Sequence, residues 1–271
     1  MMLAECPVAE RQTYRSGAAV STTSFTTRWA TTPSDVAAAQ RLRFRVFAEE
    51  MGAQLPPAPG ALAGHDIDEF DEYCLHLLVL SQANTSGQGV ASSEEVVATC
   101  RVLMPEGARR AGRLYSDDEF DLSALRDMLP FMAEMGRVCV APAWRNGLLI
   151  LALWRALGQL MAHSGLQALF GCSSVGLASG CDLAARLWQD LQKSHLVEPA
   201  WRVRPWHPLA LQIGQSAEAV RVPPLLKGYL RCGGRLLGPP AHDASFNTAD
   251  FPIMVRLRDL PLRYGKRVLM A

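Results

Sequence analysis

The chain has 271 residues, 49% of them hydrophobic, and a formal net charge of +1 at pH 7. Disorder throughout the chain is excluded, because this much apolar material builds one large core or two small ones. The near-neutral charge argues against nucleic acid as the main ligand, because phosphate binding depends on an excess of Lys and Arg. We therefore expect a globular protein that does not bind nucleic acid.

Cysteine and histidine usage gives no sign of a metal site. The seven cysteines contain no CxxC pair, and the six histidines show no ligand spacing. Most cysteines lie in apolar runs, which predicts reduced core residues in a cytoplasmic protein. We see no apolar signal segment at the N-terminus and no run of roughly 20 apolar residues that could span a membrane. Peripheral contact with a membrane surface remains open.

The chain is predicted to divide into a tail and one domain. Residues 1–24 are polar and rich in Ser and Thr, which predicts a flexible tail. A single domain is expected over 25–271, beginning with a strand at 25–30, and the part from about 200 to 271 is interpreted as a C-terminal extension.

Local signals predict a helix directly after that strand. Thr32 is a good N-cap, Pro33 suits the first helical position, and Asp35 completes a capping box. Gly52 is expected to end the helix. The segment 54–65 is rich in Pro, Gly and Ala, which predicts a loop long enough to be a lid or a binding loop.

Strands and helices are predicted to mix in the rest of the chain. Three strands are expected, at 74–80, 95–104 and 134–141. A very apolar helix, largely buried, is expected from about Asn146 to Ser164. A strand in LQALFGCSS, an amphipathic helix in DLAARLWQDLQKSH and a helix-like LLKGYLRCGG follow. This order predicts a mixed α/β domain with a central sheet.

Arg101 is an unusual residue for its strand. The alternation along 95–104 places it in an otherwise apolar row. A buried charge there destabilises the fold unless it is paired, so Arg101 needs a carboxylate or an anionic ligand. The carboxylates of Asp66, Asp68 and Asp71 in HDIDEFDEY are the candidates. They are interpreted either as substrate ligands or as a structural network.

Glu134 and Arg137 lie at the start of another strand and pose a geometric problem. Three residues apart, they would face opposite sides of a regular strand. Gly136 between them predicts a bulge that brings both to one side. Taken alone, the two charges are interpreted as an ordinary ion pair at a strand end.

Together these charged residues resemble a known signature. In chain order the matching residues are Arg43, Val46 and Phe47, the three aspartates with Phe70, Arg101, and Glu134 with Arg137. This order resembles the pattern of acyl-homoserine-lactone synthases, which are relatives of the GCN5-type (GNAT) N-acyltransferases. The chain resembles still more closely the L-ornithine Nα-acyltransferases, which use acyl-acyl carrier protein. This closer resemblance covers roughly 35–265 and is carried by RLRFRVFAEEMGA, CLHLLV, LYSDDEFDLSAL, EMGRVCVAPAWRNG, LFGCSS, PPLLKGYLRCGG and FNTADFPIMV.

The resemblance implies a GNAT-like α/β fold in which two central strands splay apart around the pantetheine arm of the donor. It implies that Glu134 is the base, directly or through a water, and that Arg137 belongs to the catalytic pair. A carboxylate suits this role because only the deprotonated amine attacks a thioester. The resemblance further implies substrate contacts for Arg43, Phe47, Asp66, Asp68, Asp71, Arg101, Cys139, Val140 and Arg145.

One departure from the superfamily pattern bears on the donor. CoA-dependent relatives open the long helix with an Arg/Gln-x-x-Gly-x-Gly/Ala loop that cradles a pyrophosphate. Here the segment reads RNGLLI from Arg145, with Leu148 and Ile150 in place of small residues. This favours acyl carrier protein, whose phosphopantetheine has one phosphate, over CoA, and no other cofactor is expected. Arginines that would suit an acidic carrier protein are Arg109, Arg110, Arg113, Arg145 and Arg155.

The resulting hypothesis is transfer of a long-chain fatty acyl group, plain or 3-hydroxylated, from acyl carrier protein to the α-amine of an amino acid, with ornithine favoured. The product would be a lyso-ornithine lipid. A signal synthase acting on S-adenosylmethionine and an N-acyl synthase for another amino acid are the enzyme alternatives. A catalytically silent binder of lipid or carrier protein is the alternative from a different class.

Overall fold

A mixed β-sheet of nine strands organises the residues that the computed structural model describes, which are 10–13, 24–55, 62–82, 94–145, 147–210 and 221–261. In chain order the strands are β1 (Glu10–Thr13), β2 (Ser24–Trp29), β3 (Cys74–Gln82), β4 (Glu94–Leu103), β5 (Phe120–Asp121), β6 (Met132–Val140), β7 (Ala168–Gly176), β8 (Arg204–Pro205), β9 (Arg235–Leu236), β10 (Ala241–Asp243) and β11 (Thr248–Arg256). The short strands β5 and β8 form a separate pair.

The spatial order of the large sheet is β1-β2-β3-β4-β6-β7-β11-β10, and β9 pairs with β11. Neighbouring strands are antiparallel except for β6 and β7, which are parallel. A parallel pair needs a crossover connection, and a long helix supplies it here. The residues predicted as a C-terminal extension therefore include β11, which lies beside β7 along all of its length.

Helices cover both faces of the sheet. They are α1 (Pro33–Phe44), α2 (Pro105–Ala111), α3 (Gly147–Ser164), α4 (Asp182–Leu191) and α5 (Pro224–Arg231). Successive residues of β3 face opposite sides, so Leu77 and Val79 join the core under α3, while Leu78 and Leu80 pack with α1. The apolar helix predicted over 146–164 is thus confirmed as a core element. No helix in these described ranges is long and apolar enough to cross a membrane.

The predicted start of α1 is confirmed in detail. The Thr32 hydroxyl accepts a hydrogen bond from the backbone N–H of Asp35, and the Asp35 carboxylate accepts one from the N–H of Thr32. The predicted end is only partly confirmed. Gly52 has the positive φ of +74° expected at a helix end, but the α-helix first widens into a π-helical turn at Arg45–Glu50.

The other predicted strands and helices are present, with ends shifted by a few residues. Within the predicted tail, the backbone of Glu10–Thr13 pairs with β2, because β2 offers a free edge to it. Residues 1–9 and 14–23 of the tail and residues 56–61 of the predicted loop lie outside the described residues. The division into a tail, a domain and an extension stays a prediction.

Candidate active site

The parallel strands β6 and β7 separate soon after they begin. They pair from Met132 and Ala168 to Met135 and Gly171, and beyond that point the described strand partners are β4 for β6 and β11 for β7. At the last pair, a Cβ on Gly171 would lie 2.2 Å from the Met135 carbonyl oxygen, so the close approach requires glycine. The predicted splay of central strands is therefore observed.

A cavity of about 610 Å³ opens where the two strands separate. A volume of this order holds a small ligand or part of a larger one. Its wall comes from the π-helical turn, β6, the start of α3, β7, α5 and the segment from β10 to β11. Polar and charged side chains on the wall are Glu50, Tyr115, Ser116, Glu134, Arg137, Arg145, Ser174, Lys227, Arg231, Asp243, Thr248 and Asp250.

Glu134 is held rigidly at the edge of this cavity. One carboxylate oxygen accepts hydrogen bonds from the Ser116 N–H at 2.8 Å and the Ser116 hydroxyl at 2.5 Å. The other oxygen accepts one from the Tyr115 N–H at 2.8 Å. Burial of the side chain raises the pKa of Glu134, and these three hydrogen bonds oppose the shift without cancelling it. A fixed carboxylate with a raised pKa has the properties of a general base.

Arg137 reaches the same cavity because β6 contains a bulge. Thr99 is opposite Cys139 and Arg101 is opposite Gly136, so Cys100 of β4 faces two residues of β6. The predicted bulge is confirmed, and its left-handed residue is Arg137 itself, with φ of 51°, rather than the neighbouring Gly136. For a residue other than glycine this conformation costs about 1–3 kcal/mol. Surrounding contacts must therefore hold it.

Those contacts come from a buried set of charges, here called the arginine–aspartate network: Arg43, Arg101, Arg137, Asp66, Asp68 and Asp71. Arg137 donates to Asp66 at 3.1 Å and to Asp68 at 3.2 Å. Its guanidinium also lies 5.1 Å from the Tyr115 ring centre and 4.8 Å from that of Phe246. Three positive charges thus face three negative ones.

The other two arginines of the network bind the aspartates that hold Arg137. Arg43 binds Asp66 and Asp71, each at 2.8 Å, and Arg101 binds Asp68 and, at 2.8 Å, Asp71. The prediction that Arg101 pairs with these aspartates is confirmed. The Arg43 guanidinium is 1% exposed, and neighbouring arginines hold the pKa of Asp71 well below its usual range against the effect of burial. Asp71 therefore stays ionised and paired.

The predicted substrate-contacting residues fall into three groups. Phe47, Cys139, Val140 and Arg145 line the large cavity. Arg101 borders a much smaller pocket of about 20 Å³ beside Glu134. The remaining four, Arg43, Asp66, Asp68 and Asp71, lie outside the wall of the large cavity. Their contacts are those of a support for Arg137, and their role as substrate ligands stays a prediction.

A second group of carboxylates was not predicted. Asp243 and Asp250 line the cavity, and Glu119 lies next to Asp250. We call these three residues the acidic wall. Burial, joined by mutual repulsion, raises the pKa of both Glu119 and Asp250. Ligand atoms of Glu119, Cys172 and Asp250 lie within 4.8 Å of one another, a set that sequence spacing gave no reason to group.

Two segments of the sequence contain most of these additional residues. Tyr115, Ser116 and Glu119 lie in LYSDDEFDLSAL, and Phe246 and Asp250 lie in FNTADFPIMV. Both segments carried the resemblance, yet no role was predicted for any residue in them. Their contacts depend on pairing between segments more than 70 positions apart in the chain, as in the bond from the Trp206 N–H to the Glu119 carbonyl and the pairing of Asp250 with Ser174.

Comparison with known proteins adds independent information. The GNAT acetyltransferase domain family matches residues 42–155. An L-ornithine N(alpha)-acyltransferase of Rhizobium meliloti is 35% identical over 249 residues, which is 88% of this chain and 82% of the relative. One of the same name from Brucella abortus is 32% identical over 251 residues, covering 89% of this chain and 87% of the relative.

Among solved structures, BjaI, a CoA-dependent acyl-homoserine lactone synthase, has a TM-score of 0.49 and 16% identity, covering 87% of this chain and 81% of its own. The domain match and the divided mixed sheet confirm the predicted GNAT-type fold. At more than 30% identity over most of both chains, the protein belongs to the L-ornithine N(alpha)-acyltransferase family and is an acyltransferase, as the resemblance had predicted.

Proposed function

We propose that this acyltransferase moves a long-chain fatty acyl group, plain or 3-hydroxylated, from acyl carrier protein to the α-amino group of L-ornithine. The product is N-acyl-ornithine, a lyso-ornithine lipid. The observation that carries the proposal is Glu134, a buried carboxylate with a raised pKa at the point where β6 and β7 separate. The name of the relatives supports ornithine as the acceptor.

The proposed reaction is a direct attack on the donor thioester. Glu134 removes a proton from the α-ammonium group, directly or through a water, and the free amine attacks the carbonyl carbon. A C–N bond forms, the C–S bond breaks, and the thiolate of the phosphopantetheine takes up a proton. Arg137 holds the acceptor near Glu134 by attracting the acceptor's α-carboxylate with its positive charge.

The state of the cysteines favours direct attack over a covalent intermediate. Cys139 and Cys172 both line the cavity. Burial raises the pKa of Cys139 to about 12, and burial together with neighbouring carboxylates raises the pKa of Cys172 well above its usual value. A thiol that stays protonated at neutral pH is a weak nucleophile. Neither cysteine is therefore suited to carry the acyl group.

The strand geometry suits a pantetheine donor. After Met135 the edge of β6 that faces β7 has no strand partner among the described residues, so its backbone groups are available to the amides of a pantetheine arm. A backbone N–H in this stretch would also polarise the thioester carbonyl. Cys139 and Val140 lie further along the same strand and contact the donor in this proposal.

Arg145 gives a reason to prefer acyl carrier protein over CoA. Its guanidinium makes two bonds to the Glu50 carboxylate, at 2.5 and 2.6 Å, and a third to the Val140 carbonyl at 3.2 Å. It is therefore engaged with the protein at the start of α3, where CoA-dependent relatives bind a pyrophosphate. A donor with a single phosphate makes less demand on this position.

The proposal is tested by incubating the purified protein with matched acyl-acyl carrier protein and acyl-CoA donors and a panel of amino acids, with products read by mass spectrometry. We expect N-acyl-ornithine from the carrier-protein donor and a fall in kcat of about 10²- to 10⁴-fold for Glu134→Gln. Glu95→Gln, an exposed residue paired with Arg45, is the matched control and should retain activity.

Other products would contradict specific parts of the proposal. Equal use of acyl-CoA would remove the argument from Arg145. Release of methylthioadenosine from S-adenosylmethionine would identify a signal synthase instead. A protein that acylates nothing and loses nothing on Glu134→Gln would be a silent binder of lipid or carrier protein.

We also propose peripheral contact with the membrane, because the product is an amphiphile that partitions into lipid. Met51, at the cavity wall, is 44% exposed and offers an apolar contact there. Co-sedimentation with phospholipid vesicles tests this, and Met51→Ser should weaken it. Equal recovery of both proteins in the supernatant would contradict it.

A further inference from the structure

The acidic wall lacks a positive ion-pair partner among the residues that the structure describes. Within the described part of the chain, no Lys, Arg or His forms an ion pair with Glu119, Asp243 or Asp250. Arg137 lies on the same side but its bonds go to Asp66 and Asp68. Arg137 attracts the Asp250 carboxylate without bonding to it, and this attraction does not offset the effect of burial, because the pKa of Asp250 stays raised.

Asp250 is the most informative member of the group. It is 5% exposed, it lines the cavity, and its described partners are neutral hydroxyls: Thr248 donates at 2.7 Å and Ser174 is the second. The described side-chain donor to the Glu119 carboxylate is likewise neutral, the Cys172 thiol, with sulfur and oxygen 3.5 Å apart. Burying a carboxylate without a cation is unfavourable, and the raised pKa of both groups expresses that cost. A cationic ligand in the cavity would relieve it.

The sheet register relates this group to Glu134 through Cys172, whose thiol contacts Glu119. Glu134 is opposite Phe170 of β7, and Cys172 is the next residue of β7 on the same face. Two residues of a strand span roughly 7 Å. The two nitrogens of an extended 2,5-diamino acid are about 6 Å apart, since five single bonds separate them. A ligand with its α-nitrogen at Glu134 thus brings its second nitrogen to the acidic wall.

We propose that Asp250 and Glu119 bind the side-chain ammonium group of the acceptor amino acid and so select a diamino acid over a neutral one. This inference rests on the proposed function, since the acceptor must already occupy the cavity with its α-amine at Glu134. Asp243 adds negative charge from the neighbouring strand, while its own Oδ1 accepts from the N–H groups of Ser245 and Phe246. The α-amine that is acylated therefore lies at Glu134, and the side-chain ammonium group that is recognised lies at the acidic wall.

The test compares L-ornithine with L-norvaline, which has the same carbon chain without the second amine. We expect the unmodified enzyme to favour ornithine at least tenfold in kcat/KM. Asp250→Asn and Glu119→Gln should each remove most of this preference by weakening use of ornithine, with kcat/KM for norvaline unchanged within about threefold. Asp190→Asn, an exposed residue of α4 paired with Lys193, is the matched control and should leave both values unchanged.

Binding measured without turnover separates this inference from the proposed function. Calorimetric titration with each amino acid should show ornithine binding at least tenfold tighter, and Asp250→Asn should abolish the difference. If norvaline is used and bound as well as ornithine, the inference is overturned while the N-acyltransferase function stands. If no amino acid is acylated, the proposed function fails, and equal binding of the two amino acids would then overturn the inference as well.

The acidic wall has one competing occupant that the same experiments distinguish. Glu119, Cys172 and Asp250 together offer three atoms to a metal ion. A metal found in stoichiometric amount in the purified protein by elemental analysis, and lost in Asp250→Asn, would overturn the ammonium assignment. Glu119 is less buried than Asp250, so Glu119→Gln provides a folded variant if Asp250→Asn is unstable.

Discussion

The arginine–aspartate network and the acidic wall are two groups of buried carboxylates in one protein, and they are built in opposite ways. In the first, three aspartates meet three arginines. In the second, hydroxyl, thiol and N–H groups are the only donors among the described residues. Removing one member of a balanced set of buried charges destabilises the fold, whereas a local excess of negative charge can be neutralised by a cationic ligand. The contrast indicates which group supports the cavity and which one binds.

The largest expected effect comes from unbalancing the network. Arg101→Met leaves Asp68 and Asp71 with one fewer cation in a buried position, which should lower the free energy of unfolding by about 3–5 kcal/mol. Urea denaturation measures this. The control is Arg45→Met, whose exposed pair with Glu95 is worth at most about 1 kcal/mol. A loss for Arg101→Met no larger than that of the control would show that the balanced charges are not structural.

A smaller effect is expected when the charge is kept and the geometry is lost. Arg137→Lys retains the positive charge and the strained φ, but one ammonium group cannot bond both aspartates and stack on Tyr115 and Phe246. We expect a loss of about 1.5–3 kcal/mol in unfolding free energy. Arg113→Lys, at an exposed pair with Glu69 and Asp118, should change stability by less than about 1 kcal/mol. Equal losses in the two variants would contradict a special role for the guanidinium.

The smallest effect has the opposite sign and belongs to the acidic wall. Because the folded-state pKa of Glu119 is raised above its usual 4.5, the folded protein retains a proton that the unfolded chain loses. This contribution to stability is complete below pH 4.5 and is lost as the pH rises through the raised pKa. Glu119→Gln cannot lose it, so its Tm should match that of the unmodified protein at pH 4 and exceed it at pH 8 by up to about 4 °C.

Thermal melts across this range check the sign. If the Tm of Glu119→Gln at pH 8 is below that of the unmodified protein at the same pH, then Glu119 has a stabilising partner in the folded state. That result would remove the basis for an uncompensated acidic wall.

Local features of this protein could be predicted from the sequence and long-range ones only in part. The cap of α1 was predictable because Thr32 and Asp35 are three residues apart and satisfy each other. The pairing of Arg101 was predictable because a buried arginine needs a carboxylate and HDIDEFDEY supplies several. Here the physical requirement alone limited the possible partners.

The acidic wall had no such signal. Its residues come from two separate parts of the chain, one at Glu119 and one from Asp243 to Asp250, and only the register of β7 with β11 brings Asp250 next to Ser174 and Cys172. Periodicity specifies the face of a strand but not its neighbour. The left-handed Arg137 was also beyond prediction, because Gly136 beside it is the residue that ordinarily adopts a positive φ.

The π-helical turn at Arg45–Glu50 makes the cavity wall sensitive to chain length as well as to side-chain identity. An α-helix closes its hydrogen bonds four residues back, whereas a π-helical turn closes them five back and so accommodates one more residue. Phe47 and Glu50 both lie in this turn and both face the cavity. Deleting one residue between Phe44 and Met51 would restore α-helical spacing and rotate Phe47 or Glu50 away from the cavity. A single-codon insertion or deletion here would thus reshape the binding surface while leaving the sheet behind it intact.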